Sequence, residues 1–266
     1  MLGKLMKYEL KATSRMLLPL YAALLAMTLI MKLFININSE ATGYIVSASV
    51  AGMLYGVIIV GLLVMTFIMI VQRFYKNLMT DEGYLMFTLP VPVWQQVVSK
   101  MLIGLFWSVV CAVVIFLSIM IIGLDAAGVT GLIREIPNMD WSALISEGVL
   151  LIGVEFIISM IVGTLASMLQ IYVSIALGQL SNKHKIVMAV VAYIAISTVI
   201  QMVMTIGSVS FFVGAETTGL GTFFAAMDPI DMLQWMINGL TIINLVLGTA
   251  MFFVTTYLLK HKLNLE

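Results

Sequence analysis

Few side chains in this 266-residue chain can do chemistry, and their types and spacing narrow what that chemistry can be. The single cysteine, Cys111, lies in an apolar run, so neither a disulfide framework nor a cysteine metal site can be built within one chain. The two histidines, His184 and His261, stand among lysines. No H-E-x-x-H or G-x-S-x-G pattern is present to make a metalloprotease or serine hydrolase site. No G-x-x-x-x-G-K-S/T loop is present to cradle ATP phosphates, so any ATP hydrolysis belongs to another polypeptide. The chain is read as having no catalytic residue, no metal site and no cofactor of its own.

Two carboxylates stand out by their surroundings. Glu155 lies in an apolar run beyond Glu147. If it sits within the membrane it is a candidate functional site, and if that span begins earlier it rests hydrated near the outer headgroups. Glu9 projects into the apolar side of a basic segment, where a carboxylate is costly unless a cation pairs with it, and a partner subunit is one source of that cation. Gln72, Gln170, Gln201, Asn238 and Asn244 are candidates for hydrogen bonds between helices. Gly52 and Gly56, and Ser159, Gly163 and Ser167, put small residues four apart, a spacing that lets helices approach closely.

The elements that position these residues must be membrane spans. Only 10% of residues are charged and 62% are apolar, more than a soluble domain of this length can hide. Six stretches reach the roughly 20 apolar residues that a crossing requires: residues 16–35, 43–71, 101–124, 149–179, 186–213 and 233–259. The expected fold is therefore an all-α integral membrane protein with six transmembrane helices. Net charge is zero and the basic residues are scattered, which argues against nucleic-acid binding.

Orientation follows the basic residues. Lys4, Lys7, Lys11, Arg15, Arg73, Lys76, Lys100, Lys183, Lys185, Lys260 and Lys262 fall on the side of the termini, and only Lys32 and Arg134 fall opposite. Loops rich in Lys and Arg stay cytoplasmic, so both termini are expected inside.

Residues 1–15 have a helical pattern that gathers Lys4, Lys7, Lys11 and Arg15 on one face and Leu2, Leu5, Met6 and Leu10 on the other. An interfacial helix along the inner leaflet is expected, acting either as a basic anchor that sets topology or as a docking element through Lys4, Lys7, Glu9 and Lys11. On the outer side, residues 207–234 are hydrophobic but broken by glycines, Asp228 and Pro229. They read as a re-entrant hairpin between spans five and six, since irregular backbone at membrane depth must be buried in protein or line water.

The connection from Gln72 to Lys100 is too apolar for a solvated loop. Asp81 and Glu82 open a short helical run, Tyr84 to Leu89 gives it an apolar surface, and Pro90 and Pro92 end it. Here the chain resembles the membrane subunits of ATP-binding-cassette exporters of the second type. Those permeases carry, between spans two and three, an acid, Gly, Thr, Leu, several apolar residues, Thr or Ser, Pro, and a Lys at the next span. This chain offers Glu82, Gly83, Tyr84, Leu85, Thr88, Leu89, Pro90, Ser99 and Lys100, and departs at Tyr84, Val93 and Trp94. The layout of an amphipathic N-terminal helix, six spans and a hydrophobic outer connection is also similar.

The resemblance implies that Asp81, Glu82, Gly83, Tyr84, Leu85, Phe87 and Pro90, in the segment 73–100, contact a separate ATPase that binds ATP and Mg. It also implies a second copy or a related permease as partner, a bacterial plasma membrane, and export of hydrophobic or amphipathic peptides, lipids or drugs. The alternatives are a secondary transporter or channel independent of ATP, and a membrane immunity or assembly protein.

Overall fold

A computed structural model describes residues 2–37, 42–79, 91–123, 128, 130–131, 134, 148–181, 184–218, 222 and 226–261. Six helices carry the fold: α1 (Leu2–Ile37), α2 (Thr42–Met79), α3 (Val93–Gly123), α4 (Val149–Gly178), α5 (Lys185–Thr218) and α6 (Pro229–His261). Each is long and apolar enough to cross a membrane, and there is no strand among the described residues. The chain thus has the make-up of a multi-pass membrane protein. The shortest helix has 30 residues. That is about 45 Å of helix against about 30 Å of hydrocarbon, so each helix tilts or extends into the headgroups.

The chain divides into two compact units. The first comprises α1, α2 as far as Arg73, and α3 from Val98 onward. Its core is read directly from helical spacing. Along α1, Glu9, Thr13, Leu17, Tyr21, Leu24, Thr28 and Met31 are buried, three or four residues apart, and so share one face. On α2 the buried face is Leu62, Thr66, Met69 and Ile70, and on α3 it is Lys100, Ile103, Trp107, Cys111 and Ser118. Hydrogen bonds pin the register. Trp107 Nε1 donates to Thr13 Oγ1 at 2.7 Å, Tyr21 OH donates to the Trp107 carbonyl at 3.3 Å, and Lys32 Nζ donates to the Ile122 carbonyl at 3.2 Å. Partner numbers rise together, so α1 and α3 run parallel. Tyr55 OH lies 2.6 Å from Ser118 Oγ while Arg73 and Lys100 meet at Glu9, so partner numbers run oppositely and α2 is antiparallel to α3.

The first element is longer than the sequence pattern suggests. The helical segment 1–15 and the first span form one helix, with no break at Arg15. The buried stripe explains the continuity, because Thr13 and Leu17 belong to the same packed face and carry it across the junction. Pro19 lies inside α1 and is exposed, so it removes one backbone hydrogen bond without disturbing that face.

The second unit contains α4, α5, α6, the last turn of α2 and the start of α3. Helix α4 packs against both α5 and α6. Its second half is the core: Tyr172, Val173, Ser174, Ile175 and Ala176 are all buried in succession, which requires neighbours on every side. Phe74, from the end of α2, stacks on Tyr172 with ring centroids 3.9 Å apart and planes within 7°. By contrast, Val149, Leu150, Leu151, Val154, Phe156 and Ile157 in the first turns of α4 are exposed, and no residue in the most apolar stretch of α5 is buried. Apolar surface of this extent is at rest only in lipid or against another chain.

Helix ends follow their local chemistry. Gly148, at φ 73°, takes the left-handed conformation just before α4. Pro229 opens α6 at the position where a missing N–H costs nothing, and the Asp228 carbonyl accepts from Met232 N–H at 3.0 Å. Asp231 in its first turn and Lys260 and His261 in its last match the helix dipole. Helix α5 continues through residues 207–218, and α6 begins at Pro229. Both ends of the segment expected to form a re-entrant hairpin are therefore helical, and 219–221 and 223–225 lie outside the described residues.

Candidate functional site

Of the residues expected to contact an ATPase, Asp81, Glu82, Gly83, Tyr84, Leu85, Phe87 and Pro90 lie outside the described residues. The N-terminal set is described. Lys4, Lys7 and Lys11 are exposed on α1, whereas Glu9 is buried. The cation that Glu9 requires comes from its own chain. Lys100 Nζ donates to Glu9 Oε1 at 2.7 Å, and Arg73 Nη1 stands 3.9 Å from Glu9 Oε2. The notion that a partner subunit supplies this cation is thereby corrected.

Each helix brings one charge to this cluster for a reason of spacing. Glu9 is one helical turn before Thr13 on the buried stripe of α1, Lys100 one turn before Ile103 and Gly104 on α3, and Arg73 one turn after Met69 and Ile70 on α2. The three apolar faces cannot pack without bringing these ends together. Burial makes the pair consequential: the side chains of Lys100 and Glu9 are 3% and 9% exposed. Both ions have lost most of their water, so each depends on the other to offset a desolvation cost of several kcal/mol. A buried ion pair adds little net stability over an apolar pair, but it fixes which helices meet and in what register.

The cluster continues into a chain of neutral hydrogen bonds. Thr13 Oγ1 donates to the Glu9 carbonyl at 2.9 Å while accepting from Trp107, and Trp107 in turn accepts Tyr21 OH at its backbone carbonyl. Helices α1 and α3 are thus cross-linked over three turns from Glu9 to Tyr21. Such an arrangement binds the helices into a stiff body.

Glu155 is part-buried in the second unit. Asn238 Nδ2 of α6 donates to its Oε1 at 3.2 Å, and its Oε2 is sheltered with no hydrogen-bond partner among the described residues. Glu155 is six residues into α4, about 9 Å along the axis, so the carboxylate sits toward one end of the helix and away from its midpoint. Gln170 also links helices, donating from Nε2 to Ser197 Oγ at 2.6 Å, but Asn244 bonds within its own helix to the Leu240 carbonyl, and Gln72 and Gln201 are exposed. Among the described residues, no three His, Cys, Asp or Glu side chains converge as metal ligands.

The small-residue spacings mark different contacts from those expected. A side chain at Gly52 would meet only Met31 Cε at 3.6 Å, and Gly56 and Gly163 have nothing within 4 Å. The close approaches are instead Gly178 against Ala189 and Gly248 against Ala166. The first follows from the short α4–α5 connection, where two small residues flank the reversal, a signal present in the sequence. The Gly248–Ala166 contact depends on which face of α6 meets α4, which no local pattern encodes.

Comparison with known protein families, with curated proteins and with solved structures finds no match to this chain.

Proposed function

We propose that this chain is the permease subunit of an ATP-driven exporter of the second ATP-binding-cassette type. It works in a bacterial plasma membrane beside a second copy or a related permease. Separate ATPase chains grip the segment Asp81–Pro90, and the N-terminal lysines Lys4, Lys7 and Lys11 offer a second contact. Both termini lie inside, and the cargo is hydrophobic or amphipathic.

The observation that supports this reading is the convergence of Arg73 and Lys100 on Glu9. In sequence, those two cations bracket the connection that would be gripped, one near the end of α2 and the other near the start of α3. A pull on that connection is delivered to two helices already tied at this level to a third. An ion-paired end gives the motor a stiff body to move, whereas a frayed end would absorb the stroke.

The experiment is to express the chain with its cognate ATPase and measure hydrolysis by the purified complex. Glu82→Ala and Leu85→Ala are expected to lower transporter-dependent hydrolysis about tenfold or more, the scale on which losing one or two anchor contacts weakens an interface. A carrier that runs without an ATPase is the reading that Glu155 favours, and it predicts no co-purification at all.

A further inference from the structure

The outward face of α1 changes character along its length. Lys4, Lys7, Lys11 and Arg15, three or four residues apart, give it four exposed cations, and Leu18, Leu29 and Leu33 on the same side continue it as exposed apolar surface. The opposite side is the buried stripe that starts at Glu9. Glu9 is the only acid in α1, so no carboxylate of this helix lies among the four cations. None of the four side chains has an ion pair or a hydrogen bond among the described residues.

Depth along α1 separates the four. Residues 16–31 carry no charge, and Arg15 and Lys32 stand about 26 Å apart along the axis, against roughly 30 Å of hydrocarbon, so they mark its two edges. Lys32 is met by protein, with Nζ donating to the Ile122 carbonyl at 3.2 Å. Arg15 is exposed and has no such acceptor. Side chains on a helix lean toward its N-terminus, so the Arg15 guanidinium leans out of the hydrocarbon toward the phosphates. Lys11 is about 6 Å farther out, at the outer edge of a headgroup layer about 5–7 Å deep, whereas Lys7 and Lys4 are about 12 and 16 Å beyond Arg15, past that layer. The helix cannot fold down onto the leaflet at Lys11. Lys100 Nζ at Glu9 Oε1 and Trp107 Nε1 at Thr13 Oγ1, both 2.7 Å, hold α1 alongside α3 from Glu9 onward.

We propose that Arg15 and Lys11 bind the headgroup phosphate of an anionic membrane lipid, whose acyl chain lies along Leu18 and the apolar face beyond it. Two cations without a protein partner stand one turn apart at phosphate level, directly above apolar surface that suits an acyl chain. A zwitterionic lipid presents the same phosphate but brings its own ammonium and so gains less. A second copy of the chain fits poorly, since a twofold contact through this face would set the cations against one another. The assignment is independent of the exporter reading.

The test uses the full chain purified in an uncharged detergent and native mass spectrometry, titrating phosphatidylglycerol and phosphatidylcholine separately. The expected result is about tenfold tighter binding of phosphatidylglycerol, between roughly fivefold for one cation near an anionic surface and roughly thirtyfold for two. K11Q/R15Q should bring the two lipids to within about twofold, whereas K4Q/K7Q should leave the preference intact, and K11R/R15K, which keeps both charges, should retain it. All four positions are exposed, so these changes leave the packed stripe of α1 untouched. The proposal is overturned by equal binding of the two lipids to the parent chain, by an undiminished preference in K11Q/R15Q, or by its loss in K11R/R15K. An equal loss in K4Q/K7Q overturns it as well, since that would indicate a diffuse basic surface. So does a K11Q/R15Q chain that keeps its lipid preference and instead loses co-purification with the cognate ATPase, which would give the face to a protein partner.

Discussion

Lys100→Met is expected to destabilise the chain by about 3 kcal/mol, because it removes the direct partner of a buried carboxylate and leaves the charge stranded. The figure is taken at the low end of the usual range because Arg73, 3.9 Å away, remains as a distant counter-ion. Thermal unfolding in detergent should register the loss as a fall in Tm on the order of 10 °C. The double variant Glu9→Met, Lys100→Met discriminates the cause. With both charges gone the buried pair is replaced by apolar side chains of similar volume, the part-exposed Arg73 keeps its access to water, and stability should return to within about 1 kcal/mol of the parent. Equal instability in the single and double variants would show that the ion pair is not what Lys100 contributes.

The second large effect concerns Gly178, where a change that normally helps a helix should harm this one. Alanine in place of glycine in a helix ordinarily stabilises by about 1 kcal/mol. At Gly178 the new Cβ would lie 2.6 Å from the Ala189 Cβ and 2.7 Å from its Cα and N, so backbone would have to move. Gly178→Ala is therefore expected to cost about 1–3 kcal/mol, and Gly178→Leu to prevent α4 and α5 from packing as they do. Gly163→Ala in the same helix is the control, since nothing lies within 4 Å of that position. It should be neutral or stabilising, and opposite signs at the two sites, read by thermal unfolding, check the packing of α4 on α5.

The helices were the most legible part of the sequence because a crossing needs a long uninterrupted apolar run, which composition displays directly. Their ends were less so. Reading stops at the first charges, yet α2 runs through Arg73 and Lys76 to Met79, and α5 runs to Thr218 beyond the apolar stretch. The helical hydrogen-bond ladder does not end where lipid does. In the cluster, the cost of burying Glu9 was readable from its place on an apolar face, but its partner lies 91 residues away. Arg73 registered as a marker of orientation and Lys100 as that and as the closing Lys of the exporter-like segment, neither as a partner of Glu9, since spacing tells which residues share a face and not which faces meet. Trp107, within a span, and Thr13, within the N-terminal helical segment, extend the cluster and looked ordinary for the same reason.

The most direct test of the exporter reading asks what the segment between α2 and α3 touches in the assembled membrane. With a photo-crosslinking amino acid in place of Leu85, irradiation of membranes holding the chain and its cognate ATPase should give an adduct between the two, with a yield that changes when ATP is added. Adducts confined to this chain, at full expression of both proteins and unchanged by nucleotide, would contradict the account.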